Sequence, residues 1–108
     1  MIFILEEAEL ILSLDVIYHL VENSVFNAHL EQLFSTSLKY VIIYSSNTDD
    51  NAGFNVHVKH RRFTDYIEAN YRNWGLVKYI PNKYPYNRDT EEGSFADFYI
   101  FEKTDSDA

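Results

Sequence analysis

The chain of 108 residues carries nine Lys and Arg against seventeen Asp and Glu, a net charge of −8, with 46% hydrophobic residues and no cysteine. That length builds one domain with a modest core. The charge opposes wide contact with nucleic acid or acidic membranes, and the missing thiols exclude disulfides and thiolate chemistry.

The apolar runs are short and broken by Glu6, Glu7, Glu9, Asp15 and Glu22, so neither a signal peptide nor a spanning helix is expected and a cytoplasmic setting is the default. Residues 9–14 are almost continuously apolar, as expected of a parallel strand covered on both faces, and Asp15 ends the run. Ser24 suits an N-cap, after which Val25, Phe26, His29, Leu30, Leu33 and Phe34 recur at helical spacing opposite Asn27, Glu31 and Gln32. Tyr40-Val41-Ile42-Ile43-Tyr44 is a second β-branched strand that stops at a polar loop, residues 45–51.

The long connection 45–62 holds Gly53, two histidines and the basic cluster, and such length in so small a domain suggests function. Thr64 suits the cap of a second helix with Phe63, Tyr66, Ile67, Tyr71 and Trp74 as its apolar stripe, Asp65 and Glu68 in its first turn, and Asn73 or Gly75 closing it. Residues 76–80 and 95–101 are the last strands, an antiparallel hairpin at the sheet edge. Residues 104–108 carry charge without an apolar anchor and are expected to be a disordered acidic tail after a domain of residues 1–103.

The α/β order is therefore β-α-β-α-β-β with a C-terminal antiparallel hairpin, and it resembles the second half of a class I S-adenosylmethionine-dependent methyltransferase, with a partial Rossmann-like sheet. Leu12-Ser13-Leu14-Asp15-Val16-Ile17-Tyr18-His19-Leu20 is similar to that family's fourth-strand motif, and Tyr40-Val41-Ile42-Ile43-Tyr44 to its fifth strand. His60-Arg61-Arg62-Phe63-Thr64 resembles a helix opening of bacterial members, and residues 94–103 their closing strand. The resemblance implies S-adenosylmethionine as cofactor, with Leu14, Asp15 and Tyr18 beside its methionine end. Absent from these 108 residues are the Gly-rich loop and the acidic strand end that hold the cofactor in the family, since Gly53, Gly75 and Gly93 are isolated. Methyl transfer is accordingly expected only with a complementary N-terminal half as partner. The other reading is a noncatalytic assembly module that associates with itself through the exposed first strand.

Asp15 and His19, four apart, would share a face if the chain turns helical, so that the carboxylate orients a catalytic base; a helix cap and a packed imidazole explain the same pair. His60, Arg61 and Arg62, with Lys59, offer paired donors for an anionic acceptor, while a solvated face or intramolecular pairing is the alternative use of such a run. His57 and His60 near Asp49 and Asp50 lack the helical presentation and third ligand of a zinc centre, so no metal site is expected. The aromatic stripe of the second helix is expected in the core.

Overall fold

The computed structural model describes residues 8–51, 57–87, 89–90 and 92–104. Its elements in chain order are β1 (Ala8–Leu14), a 3-10 turn (Ile17–His19), α1 (Asn23–Thr36), β2 (Ser37–Ser45), α2 (Phe63–Asn70), β3 (Trp74–Ile80) and β4 (Asp97–Lys103). They form a mixed α/β domain with one four-stranded sheet in the spatial order β1-β2-β4-β3. β1 and β2 run parallel, whereas β4 is antiparallel to both of its neighbours.

The last two strands pair as the expected antiparallel hairpin at the sheet edge, and the sheet they complete is mixed rather than Rossmann-like in order. β3 takes the edge and β4 lies inside, between β2 and β3. The reason is packing: β4 places Tyr99 and Phe101 against the core, whereas most of β3 beyond Trp74 is exposed. Apolar side chains drive their strand toward the middle of the sheet, where both edges are paired and one face is covered.

Phe26, Leu30, Leu33 and Phe34 project from one face of α1, and Phe63 and Ile67 from α2, onto Ile11, Val41, Ile43 and Phe101. Each fully buried side chain of this size contributes about 1.5–3 kcal/mol. Ser24 lies inside α1, whose N-cap is Glu22 and has no side-chain cap bond. The helix ends without glycine. The Thr36 hydroxyl donates to the Gln32 carbonyl at 2.6 Å, and the chain turns extended at Ser37, whose hydroxyl donates to the Tyr40 carbonyl at 2.5 Å. Hydroxyl bonds of this kind compete with the helical ladder and let β2 begin at once.

α2 is shorter than its aromatic stripe suggested. It ends at Asn70, so Tyr71 caps it from outside and Trp74 opens β3. The stripe still packs as expected: Phe63 and Trp74 are buried, and Tyr66 and Tyr71 cover the core's rim. Thr104 is tied down by two bonds to the Asn73 carbonyl, 2.7 Å from its amide and 2.9 Å from its hydroxyl. Residues 105–108 of the expected tail, like Gly53, lie outside the described residues. No helix among the described residues is long and apolar enough to cross a membrane.

β1 departs most from expectation. Ile11 and Ser13 face the helices and are buried, but Leu10, Leu12 and Leu14 alternate with them and are 47%, 40% and 47% exposed. Register extends that face across Ile42 and Tyr44 of β2, Phe98 and Ile100 of β4 and Ile80 of β3. Both helices pack on the opposite face. A continuous apolar run in sequence is thus covered on one side only, and no described strand pairs with the outer edge of β1.

Candidate functional site at the carboxyl end of the sheet

The carboxyl ends of β1, β2 and β3 and the start of β4 lie together, since Leu14 pairs with Tyr44, Ser45 with Asp97 and Ile80 with Phe98. Ligand crevices of open α/β sheets form at such ends. Three connections meet here, and the sequence-derived site residues lie on two of them.

At the end of β1, Asp15 adopts φ 58°, a left-handed conformation that short polar side chains tolerate better than most residues. The turn lets its amide donate to the Tyr44 carbonyl at 3.0 Å, one rung beyond the strand, and aims its carboxylate at Tyr18, whose phenol donates to Oδ1 at 2.8 Å. Burial first and this hydrogen bond second push the Tyr18 phenol up to about 12. The expected Asp15–His19 pairing does not form. The tight 3-10 turn that follows brings residue i+3 back to the carboxylate, and His19 is left exposed with its ring 4.5 Å from that of Tyr18.

The basic segment is a docked strap. Lys59 donates its amide to the Tyr18 carbonyl at 2.9 Å and its ammonium to Asn23 Oδ1 at 3.1 Å. Arg61 places its guanidinium 4.4 Å from the Phe26 ring centre while its Nη atoms donate to the carbonyls of Leu20 and Val21 at 2.6 and 2.8 Å and to Asn23 at 3.0 Å. Five donors in a rigid fork suit such a loop clamp. Arg61 is therefore spent on holding the β1–α1 connection, rather than displayed to an acceptor. Arg62 points outward, 4.0 Å from the exposed Asp65, a separation at which an ion pair contributes little. His60 is buried, and burial pushes its imidazole pKa down against a smaller opposing effect of Asp50. Its Nδ1 lies 2.5 Å from the Ser46 hydroxyl.

What holds the strap was hidden in the polar loop after β2. Asn51 accepts the His60 amide at 2.6 Å and donates to the His60 carbonyl at 3.0 Å; Asp49 accepts the Arg62 amide at 2.9 Å; Asn47 accepts the Thr64 amide at 3.2 Å and donates to its hydroxyl at 2.9 Å. Residues 47, 49 and 51 thus face 64, 62 and 60, an antiparallel ladder in which side chains replace one strand's backbone. Asn47, outside α2, serves its first turn as a cap. The alternation of Asn, Asp and Asn every second residue was the available sign.

Two cavities flank the strap. One, of about 550 Å³, lies between α1 and the strap, bounded by Asn23, Phe26, Asp49, Lys59, Arg62 and Tyr66. Lys59 is already engaged there and Asp49 brings a negative charge, so the groove is no ready anion site. The other, of about 240 Å³, lies between Tyr18, His60 and the loop 93–96. His57 is exposed while His60 is buried, and among the described residues no three His, Asp or Glu side chains converge as a metal site would require. No family model, curated protein or solved structure matches the chain.

Proposed function

We propose that this chain is the second half of a class I S-adenosylmethionine-dependent methyltransferase domain, acting only when a polypeptide carrying the Gly-rich half covers its sheet. The observation that carries the reading is the one-sided sheet: Leu10, Leu12 and Leu14 stand on a bare apolar face beside an outer edge that no described strand pairs. Contiguous apolar area of this kind marks a surface meant to be covered, and β1 and β2 pair in parallel, an arrangement ordinarily covered on both faces. The element order β-α-β-α-β-β supports the same reading.

S-adenosylmethionine, when bound, supplies the methyl group. This chain's own residues fit one wall of its site: Leu14 brings an apolar contact on the bare face, Asp15 a carboxylate at the strand end, and Tyr18 a phenol that orients that carboxylate. The opposite wall has no counterpart among these 108 residues. His19 stands exposed at the rim.

Calorimetric titration with the cofactor tests this, using the chain alone and the chain mixed with a separately expressed Gly-rich half of a class I methyltransferase. Heat is expected only from the mixture and is lost with Leu12→Asp. Tight cofactor binding by the chain alone sinks the proposal. The assembly-module reading is favoured by the same edge and by the use of Arg61 as a clamp; sedimentation that shows concentration-dependent dimers, abolished by Leu12→Asp, with no cofactor heat in any mixture would favour it instead.

A further inference from the structure

The 240 Å³ cavity beside the strap is walled by aromatic rings, and no charged side chain lines it among the described residues. We propose that it binds a flat, uncharged heteroaromatic molecule of one or two rings that carries a hydrogen-bond acceptor. The cavity is built wholly from this chain, so its occupancy stands apart from the methyltransferase reading.

Size sets the first limit. A cavity of about 150 Å³ takes a benzene ring, and pockets for drug-sized ligands begin near 300 Å³. A volume of 240 Å³ lies between them.

The walls set the second limit. The Tyr18 and His60 rings lie 6.0 Å apart and only 20° from parallel, and Phe95 stands 5.5 Å from His60 at 52°. Phe95 is in turn backed by Tyr86, stacked at 4.1 Å. Rings prefer offset-stacked or edge contacts with other rings, a preference worth about 0.5–1.5 kcal/mol beyond area burial. These walls are held in place before any ligand arrives. Gly93, at φ 94°, lets the loop cross so close that an added Cβ would lie 2.3 Å from the Pro85 carbonyl oxygen. Tyr86 and Ser94 close the crossing with amide bonds of 3.1 and 2.9 Å to the carbonyls of Ser94 and Tyr84.

Polarity sets the third. The Ser94 hydroxyl oxygen accepts the Ala96 amide at 3.0 Å and the Tyr44 phenol at 3.1 Å. With both lone pairs taken, its remaining capacity is to donate, so the ligand must bring an acceptor. A charged ligand would be desolvated here without a charged partner among the described lining residues.

Ligand-observed NMR titration with benzimidazole, indole, cyclohexanol and benzamidinium at slightly alkaline pH tests the proposal. Benzimidazole offers a ring nitrogen that indole lacks, and a hydrogen bond of ordinary strength makes it bind about three- to tenfold tighter. Cyclohexanol and benzamidinium are expected to bind at least about tenfold more weakly than benzimidazole. Phe95→Leu, at a position 39% exposed, keeps apolar bulk and is expected to weaken benzimidazole by about three- to tenfold. Ser94→Ala is expected to abolish the preference for benzimidazole over indole. Thermal unfolding by circular dichroism establishes that each variant is folded, and either variant decides alone if the other is not. Equal binding of cyclohexanol, no binding of benzimidazole, or a folded Phe95→Leu chain that binds unchanged overturns the proposal.

Discussion

Asn51 holds both backbone polar groups of His60, accepting the amide at 2.6 Å through Oδ1 and returning a bond to the carbonyl at 3.0 Å through Nδ2. A side chain here does what a neighbouring strand would do. A buried histidine at the sheet's carboxyl end is thereby fixed without a β-ladder.

Replacing Asn51 by Ala strands both groups, and an unmade bond to a buried backbone group costs about 1–3 kcal/mol. Asn51→Ala is therefore expected to destabilise the domain by that amount in urea unfolding and to speed hydrogen exchange at the His60 amide. Asn51→Asp keeps the acceptor and loses the donor, so it is expected to protect that amide while still lowering stability. Exchange at His60 that is unchanged in Asn51→Ala would show that the ladder is not what holds the strap.

Arg61 and Arg62, adjacent in sequence, are expected to behave oppositely. Arg61→Lys keeps the charge but loses the fork that reaches Leu20, Val21 and Asn23 and the flat stack on Phe26. A loss of about 1–3 kcal/mol follows, since the part-buried bond to Leu20 is worth about 1.5–3 kcal/mol while the exposed bonds to Val21 and Asn23 contribute little. Arg62→Ala removes only an exposed pair at 4.0 Å from Asp65, with an expected change within about 0.5 kcal/mol. Denaturant midpoints of the two variants decide the matter, and equal effects would make the basic run a solvated face after all.

The turn at Asp15 makes a spectroscopic prediction. Asp15→Asn removes the carboxylate that disfavours the Tyr18 phenolate, while burial, the larger cause, remains. The Tyr18 titration, followed by the ¹³Cζ resonance of labelled tyrosine, is therefore expected to move down from about 12 without returning to the free value. Asp15→Val forces a β-branched residue to φ 58° and is expected to cost about 1–3 kcal/mol. A Tyr18 titration indifferent to Asp15→Asn would remove the pair from any account of the site.

These residues also mark where the sequence was legible and where it was not. The helical spacing of Phe26, Leu30, Leu33 and Phe34 announces α1 because burial of one face imposes its period on the chain. The spacing of Tyr71 and Trp74 continues that of α2, but the chain leaves the helix at Asn70 and buries Trp74 from a strand instead. Leu10, Leu12 and Leu14 look alike in sequence whether one face or both are covered, so the bare side of β1 needed three-dimensional context. The Asn47-Asp49-Asn51 ladder carries no hydrophobic period at all, and Arg61 is spent on carbonyls forty residues away in sequence. Side-chain-to-backbone bonds of that range leave only a composition of loop residues behind.

The pairing of Ser13 with His29 yields the pH prediction. Ser13, buried on the inner face of β1, lies 2.9 Å from His29 Nε2 on α1, and burial pushes the His29 pKa below its ordinary value; the same holds for His60. The unfolded chain titrates its histidines near 6.5. Below that pH the unfolded state binds protons that the folded state refuses, so stability falls as the solution is acidified. The contribution is complete above about 6.5 and is lost as the pH drops toward the lowered folded values. Urea midpoints measured from slightly alkaline pH down to the onset of carboxylate titration are expected to decline through this window. His29→Gln, which keeps a polar group near Ser13 but cannot take up the proton, is expected to flatten part of that decline and to lower stability at the alkaline end. An unaltered pH profile in His29→Gln would mean that the imidazole is protonated as readily in the folded chain as in the unfolded one.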